Sequence, residues 1–168
     1  VKEDTTLVAN GQLPTPVDAD IHDHPVFTPM TNEAGMYGTL SIGANGAYTY
    51  SLNNSMSAVQ QLGEGQTLTE TFTYVVQDGH GGVGYNTLTI TVNGTNDNPT
   101  VGAAYADLYF PDVKLEGTLP TPSDIDRGDT LTFTAGEIEG KYGTLTLNKD
   151  GTYSYKLDQG HSIVAHPG

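Results

Sequence analysis

The chain has 168 residues, 36% of them apolar, with 20 Asp and Glu against six Lys and Arg and a formal net charge of −14. Such a surface repels phosphate backbones and disfavours nucleic-acid binding, and no run of 18 apolar residues is present to cross a bilayer. Ten Tyr and four Phe, with many Thr and Val, are strand material rather than the composition of a disordered acidic chain, and without any cysteine the fold needs its core, or a metal, as its staple.

Taken in chain order, the elements are short strands broken by turns. Pro14 and Pro16 stiffen an extended approach to the acidic run Asp18, Asp20 and Asp23. Leu40 and Ile42, then Tyr48, Tyr50 and Leu52, alternate with polar residues at the period of two that marks a half-buried strand. Between these runs Asn45-Gly46 suits a tight hairpin. Ser57 to Leu62 alone has a helical spacing, enough for one or two turns. Phe72, Tyr74 and Val76 alternate next, then Leu88, Ile90 and Val92, with Asp78-Gly79-His80-Gly81-Gly82 as the turn joining them. Strands and turns at this spacing predict an antiparallel β-sandwich.

After the polar stretch Asn93 to Pro99 the chain repeats itself. Gly11-Gln12-Leu13-Pro14-Thr15-Pro16-Val17-Asp18-Ala19-Asp20 returns as Gly117-Thr118-Leu119-Pro120-Thr121-Pro122-Ser123-Asp124-Ile125-Asp126, and Asp23 matches Asp129. Tyr37-Gly38-Thr39-Leu40 returns at Tyr142 to Leu145, and Gly46 to Leu52 at Gly151 to Leu157. The expected organisation is all-β: a nearly complete sandwich repeat over 1–95, and a second over 96–168 that stops before any match to Phe72 to Val92. That loss uncovers one face of the second core. Either the protein continues past Gly168, or another copy exchanges strands with it.

The acidic runs are where chemistry is expected. Calcium takes six to eight oxygens at about 2.3–2.6 Å, and Asp18, Asp20 and Asp23 supply three carboxylates within six residues, a trio repeated at Asp124, Asp126 and Asp129. The alternative for each trio is a solvated turn. Asp78 reads equally as a ligand or as the opening residue of a hairpin. Zinc is disfavoured: His22 and His24 flank the first trio, but Gly128 stands where His22 would recur and no cysteine exists. The other histidines, His80, His161 and His166, need no role. No nucleophile elbow, zinc-protease helix or phosphate loop is present, so no enzyme is expected. The tyrosines of both copies read as a core face in preference to a sugar-stacking platform.

In combination, D-x-D-x-x-D, Tyr-Gly-Thr-Leu, Gly-x-Tyr-x-Tyr-x-Leu, Phe-Thr-Tyr-x-Val-x-Asp-Gly-x-Gly-Gly and Gly-Thr-Asn-Asp-Asn-Pro resemble VCBS repeats, cadherin-like or Ig-like modules of large bacterial RTX-type adhesins. The motifs fall at Asp18 to Asp23, Tyr37 to Leu40, Gly46 to Leu52, Phe72 to Gly82 and Gly94 to Pro99. The linker Asn96, Asp97 and Asn98 looks like the calcium-binding linker of cadherins, although a plain polar linker would read alike. Glu3 and Asp4 resemble the family's entry motif and would serve a junction with a preceding repeat; they lack a clean counterpart before Gly117. The resemblance implies tandem Ig-like or cadherin-like sandwiches, bound to Ca2+, secreted or at the bacterial surface. They would act as an extender between an adhesive tip and the cell in attachment and biofilm formation. Neighbouring repeats would be the partners, with junctions rigid in calcium and loose without it. The competing expectation is a module that itself binds a carbohydrate or a protein.

Overall fold

The computed structural model describes residues 1–158; His161, His166 and the end of the second copy up to Gly168 lie outside the described residues. The chain divides into two compact units. The first comprises Val1–Asp97 together with Ile125–Arg127, and the second is built from Asn98–Asp124 and the chain from Gly128 onward.

The first unit holds β1 (Val8–Gln12), β2 (Val26–Phe27), β3 (Met30–Ala34), β4 (Gly38–Ile42), β5 (Ala47–Leu52), α1 (Ser57–Gln60), β6 (Thr67–Gln77) and β7 (Val83–Asn93). They form two sheets, ordered β1-β5-β4-β3 and β2-β6-β7, antiparallel at every strand pair. The alternation seen in the sequence is the alternation of burial. Leu40, Ile42, Tyr50 and Leu52 from one sheet meet Phe72, Tyr74, Ile90 and Val92 from the other in a single core, with Leu13, Phe27, Val59 and Leu62 closing it. Tyr50 packs edge-on to Phe72 with ring centroids 6.1 Å apart. The helical spacing at Ser57 yields one turn, which seats Val59 in this core.

One inward position is not apolar. Glu70 stands between Leu68 and Phe72 on the buried side of β6 and is 8% exposed. Its Oε2 accepts the Tyr37 backbone N–H at 2.8 Å. The Tyr50 hydroxyl faces the same carboxylate, and burial, then Glu70, push the phenol above the usual tyrosine range.

The second unit repeats the first sheet. Strands β8 (Lys114–Thr118), β9 (Gly136–Glu139), β10 (Gly143–Leu147) and β11 (Thr152–Leu157) run in the order β8-β11-β10-β9, strand for strand the order β1-β5-β4-β3. The recurring motifs have a steric reason. Tyr48 lies over Gly11 on the neighbouring strand and Tyr50 over Gly38; Tyr153 covers Gly117 and Tyr155 covers Gly143 in the same way. A ring laid over a glycine fills the space a side chain would take and fixes the register of the pair. The hairpins also match, with Gly46 at φ 85° and Gly151 at φ 89°, a left-handed conformation that costs glycine nothing. Among the described residues, the second unit has no counterpart of the β6–β7 ribbon.

A methyl at Gly38 would run into the Tyr50 ring and the Ser51 carbonyl, whereas one at Gly136 would meet nothing within 4 Å. Gly38→Ala is expected to destabilise the first unit by about 1–3 kcal/mol. Gly136→Ala should stay within about 0.5 kcal/mol of the parent. Urea unfolding of both variants checks this; equal effects would mean that the tyrosine ring does not depend on the glycine beneath it.

Candidate metal centres

The first centre forms where β7 ends. Lys2 bridges to Asn93, the Glu3 N–H donates to the Asn93 carbonyl at 3.0 Å, and the entering chain is thereby laid beside the departing one. Glu3 is 0% exposed. Its Oε1 accepts the Thr95 N–H at 2.9 Å, and the Thr95 hydroxyl donates to the Glu3 carbonyl at 3.0 Å. Its Oε2 is buried with no hydrogen-bond partner among the described residues. Burial raises the pKa of Glu3 above its ordinary value; the Thr95 N–H opposes this, and the nearby charges of Asp4, Asp97 and Asp126 add to it.

Asp4 turns the backbone at φ 58° and is held from the other side. Its Oδ1 accepts Gln60 Nε2 at 2.9 Å and Asn54 Nδ2 at 2.8 Å, and these two donors, Gln60 foremost, lower its pKa. Carboxylate oxygens of Glu3, Asp4 and Asp97 lie within 4.8 Å of one another. Asp126, 4% exposed, accepts the Asp97 N–H on Oδ2 at 2.6 Å. Its neighbour Arg127 secures the segment: its N–H donates to the Gln61 carbonyl at 2.8 Å, and its guanidinium to Gln61 Oε1 at 2.7 Å.

This location differs from the one expected for Glu3 and Asp4. They do not stand at an entry end of their own but at the exit end, beside Asp97, because the Lys2–Asn93 bridge brings the two chain segments together. Asn96 and Asn98 flank Asp97 along the linker.

The second centre lies at the β6–β7 turn. Oxygens of Asp18, Asp20 and Asp23 fall within 4.8 Å of one another, and Asp23, Asp78 and His80 form a further group that shares Asp23. Asp18 Oδ1 accepts the Asp20 N–H at 2.8 Å, an Asx turn that folds the trio. Asp78 Oδ1 accepts the N–H groups of His80 at 2.7 Å and Gly82 at 2.9 Å, and these hold its carboxyl below the usual range. His80 Nδ1 stands 2.8 Å from Asp23 Oδ1. His80 was not expected in any site: it is 57 residues from Asp23, and only the hairpin makes them neighbours. His22 and His24 join no such group among the described residues. Asp124 and Asp129 lie in the corresponding turn of the second copy, and Asp126 falls within the first unit.

The eleven residue pairs of β6 and β7, from Thr67↔Asn93 to Gln77↔Val83, set the two centres of the first unit at opposite ends of one ribbon. At about 3.4 Å per residue the ends are about 34 Å apart. Both sets are dominated by carboxylate oxygen, the donor preferred by hard cations.

The ionisation shifts define a pH dependence for the metal-free chain. Glu3 lies above its ordinary 4.5, so its contribution is complete below that pH and is lost as the pH rises through its raised value. Asp4 and Asp78 lie below their ordinary 3.8; their contribution is present above it and is lost as the pH falls through their lowered values. Stability in chelator should therefore fall from mildly acid to neutral pH, and Glu3→Gln should flatten that fall. Chemical denaturation in pH steps tests this, and parallel curves for parent and variant would exclude Glu3 as the cause.

No curated protein matches the chain. The model of the bacterial cadherin-like domain matches residues 1–94, the span that contains both sheets of the first unit, the centre at the β6–β7 turn, and Glu3 and Asp4 of the other centre. That match covers more than half of the chain, and the chain belongs to the bacterial cadherin-like domain family.

Proposed function

We propose that the chain is a calcium-stapled extender segment, of the VCBS type, from a large secreted or surface-bound bacterial adhesin of the RTX kind. Cadherin-like domains are structural and adhesive modules, and the role proposed is to transmit length and stiffness in attachment and biofilm formation. The observation that carries the reading is the placement of acidic centres at both ends of the β6–β7 ribbon. Staples at both ends of each module suit a chain of modules joined end to end.

The donors fit calcium. Glu3 Oε2 is buried and unbonded, the state expected of an oxygen that a cation completes. Glu3, Asp4, Asp97 and Asp126 would hold an ion at the exit end, with Asn96 and Asn98 in reach of the same linker. Asp18, Asp20, Asp23 and Asp78 would hold one at the hairpin end, and Asp124 and Asp129 belong to the equivalent turn of the next copy. Bound calcium would supply positive charge where like charges are crowded and would satisfy several carboxylates at once. Magnesium, smaller and strictly octahedral, suits such irregular oxygen sets poorly.

At a hundred times its dissociation constant, calcium should add about 2.7 kcal/mol per site. That is a rise of roughly 10 °C or more in the midpoint of a domain of this size. Glu3→Gln should act with opposite signs: more stable than the parent in chelator at neutral pH, and less responsive to calcium. Asp18→Asn with Asp20→Asn should reduce the calcium response at the other end. Scanning calorimetry in chelator, calcium and magnesium checks all three; a midpoint unmoved by millimolar calcium would remove the calcium reading.

A further inference from the structure

In the first unit, the chain that changes sheets leaves one edge of β6 open. It runs beside β6 only at Val26↔Gln77 and Phe27↔Val76, with one further bond from the Thr28 N–H to the Val75 carbonyl at 2.8 Å. It then crosses to the other sheet as β3 and pairs with β4. Alternate residues of a strand turn their backbone groups to the same side, so Thr73, Thr71, Thr69 and Thr67 face the way Val75 does. The far end agrees: Asn93, the partner of Thr67, directs its own N–H and carbonyl to Val1 and Glu3, away from β6. Among the described residues no strand pairs with β6 on this side from Thr67 to Thr73. The gap between β3 and β6 is an open groove of about 550 Å³. Glu33 lies on its β3 wall and Glu70 on its β6 wall, Met30 and Met36 add apolar surface, and no Lys, Arg or His lines it among the described residues.

We infer that the groove takes up an extended cationic peptide, which adds to β6 as a further strand and sets a Lys or Arg between Glu33 and Glu70. The edge itself invites pairing. Thr67 to Val75 contains no Pro, Lys or Arg and keeps unbroken register with β7, so it lacks the devices that blunt an edge. The edge of β3, by contrast, is disrupted between Met30 and Glu33, with Asn32 at φ 47°. The N–H and carbonyl groups of Thr69, Thr71 and Thr73 are the template that strand addition requires. Glu70 supplies the charge preference. It is 8% exposed, and its Oε1 is buried with no hydrogen-bond partner among the described residues, a lack that a bound ammonium or guanidinium would meet. Its carboxylate lies against Gly35, where a Cβ would run into it, and so reaches from one wall of the groove to the other. A second copy of this chain is the poorer occupant, because it brings a further charge of −14 to a groove with acids on both walls.

The probe is a synthetic hexapeptide of alternating Lys and Val, added to the 168-residue chain in millimolar calcium and followed by residue-resolved amide hydrogen exchange. Exchange at Thr69, Thr71 and Thr73 is expected to slow about tenfold or more at saturation. Exchange at Leu68, Glu70 and Phe72, whose amides face β7, should change little. The same peptide N-methylated throughout cannot donate to the edge and is expected to leave exchange unchanged, as is a hexapeptide of alternating Glu and Val. Glu33→Gln with Glu70→Gln should weaken binding of the Lys peptide about tenfold, while the amide oxygen introduced at position 70 can still accept the Tyr37 N–H. Exchange at Thr69, Thr71 and Thr73 unmoved by the Lys peptide, or changes confined to the acidic turns, overturns the inference. So does protection of these amides before any peptide is added, whether by the chain's own residues or in a concentration-dependent dimer, since the edge would then be taken.

Discussion

Carboxylates held within 4.8 Å of each other repel by roughly 3–4 kcal/mol per charged pair at an effective dielectric of about 20, and the first unit gathers them at each end of its longest ribbon. The exit end is the sharper case, because Glu3 is there with no exposure at all and one oxygen unbonded. Donors from Thr95, Asn54 and Gln60 offset part of the cost. None of them reaches Glu3 Oε2, which leaves a proton or, as proposed, a cation to compensate it. The charge of −14 is in this sense partly local: its important fraction lies in turns that the sandwich brings together.

The sandwich makes that concentration possible. A paired ribbon eleven residues long fixes where its two ends lie. The core beneath it, centred on Tyr50, Leu40 and Phe72, keeps the ribbon seated. The tyrosines laid over glycines lock the opposite sheet in register, and this explains why Tyr-Gly-Thr-Leu and Gly-x-Tyr-x-Tyr-x-Leu recur as a pair. Change either glycine and its ring has nowhere to lie. The second unit retains this half of the device among the described residues.

Much of this was legible in the residues. Period-two alternation located β4 to β7 and their buried sides, Asn45-Gly46 marked a hairpin that the structure contains, and repetition singled out the acidic trios. What stayed hidden depended on distance along the chain. Glu3 becomes a buried acid only because Lys2 bridges to Asn93, and no local pattern encodes a pairing across ninety residues. His80 meets Asp23 only through the β6–β7 turn, and Ile125–Arg127 joins the first unit although it lies within the second copy. Glu70 did leave a trace. It interrupts the apolar side of β6 between Leu68 and Phe72, and a charged residue in an inward register signals a buried polar contact.

Completion of the buried Glu3 oxygen by calcium is the point on which the proposed function turns. Carbon-13 NMR of the Glu3 side-chain carboxyl, titrated with acid in chelator and again in saturating calcium, tests it at the atom concerned. The expected result is a titration above 4.5 in chelator, a changed chemical shift when calcium is added, and a titration displaced well below its metal-free position. A Glu3 signal that neither moves nor changes its titration in calcium, while signals of other carboxylates do, would contradict it.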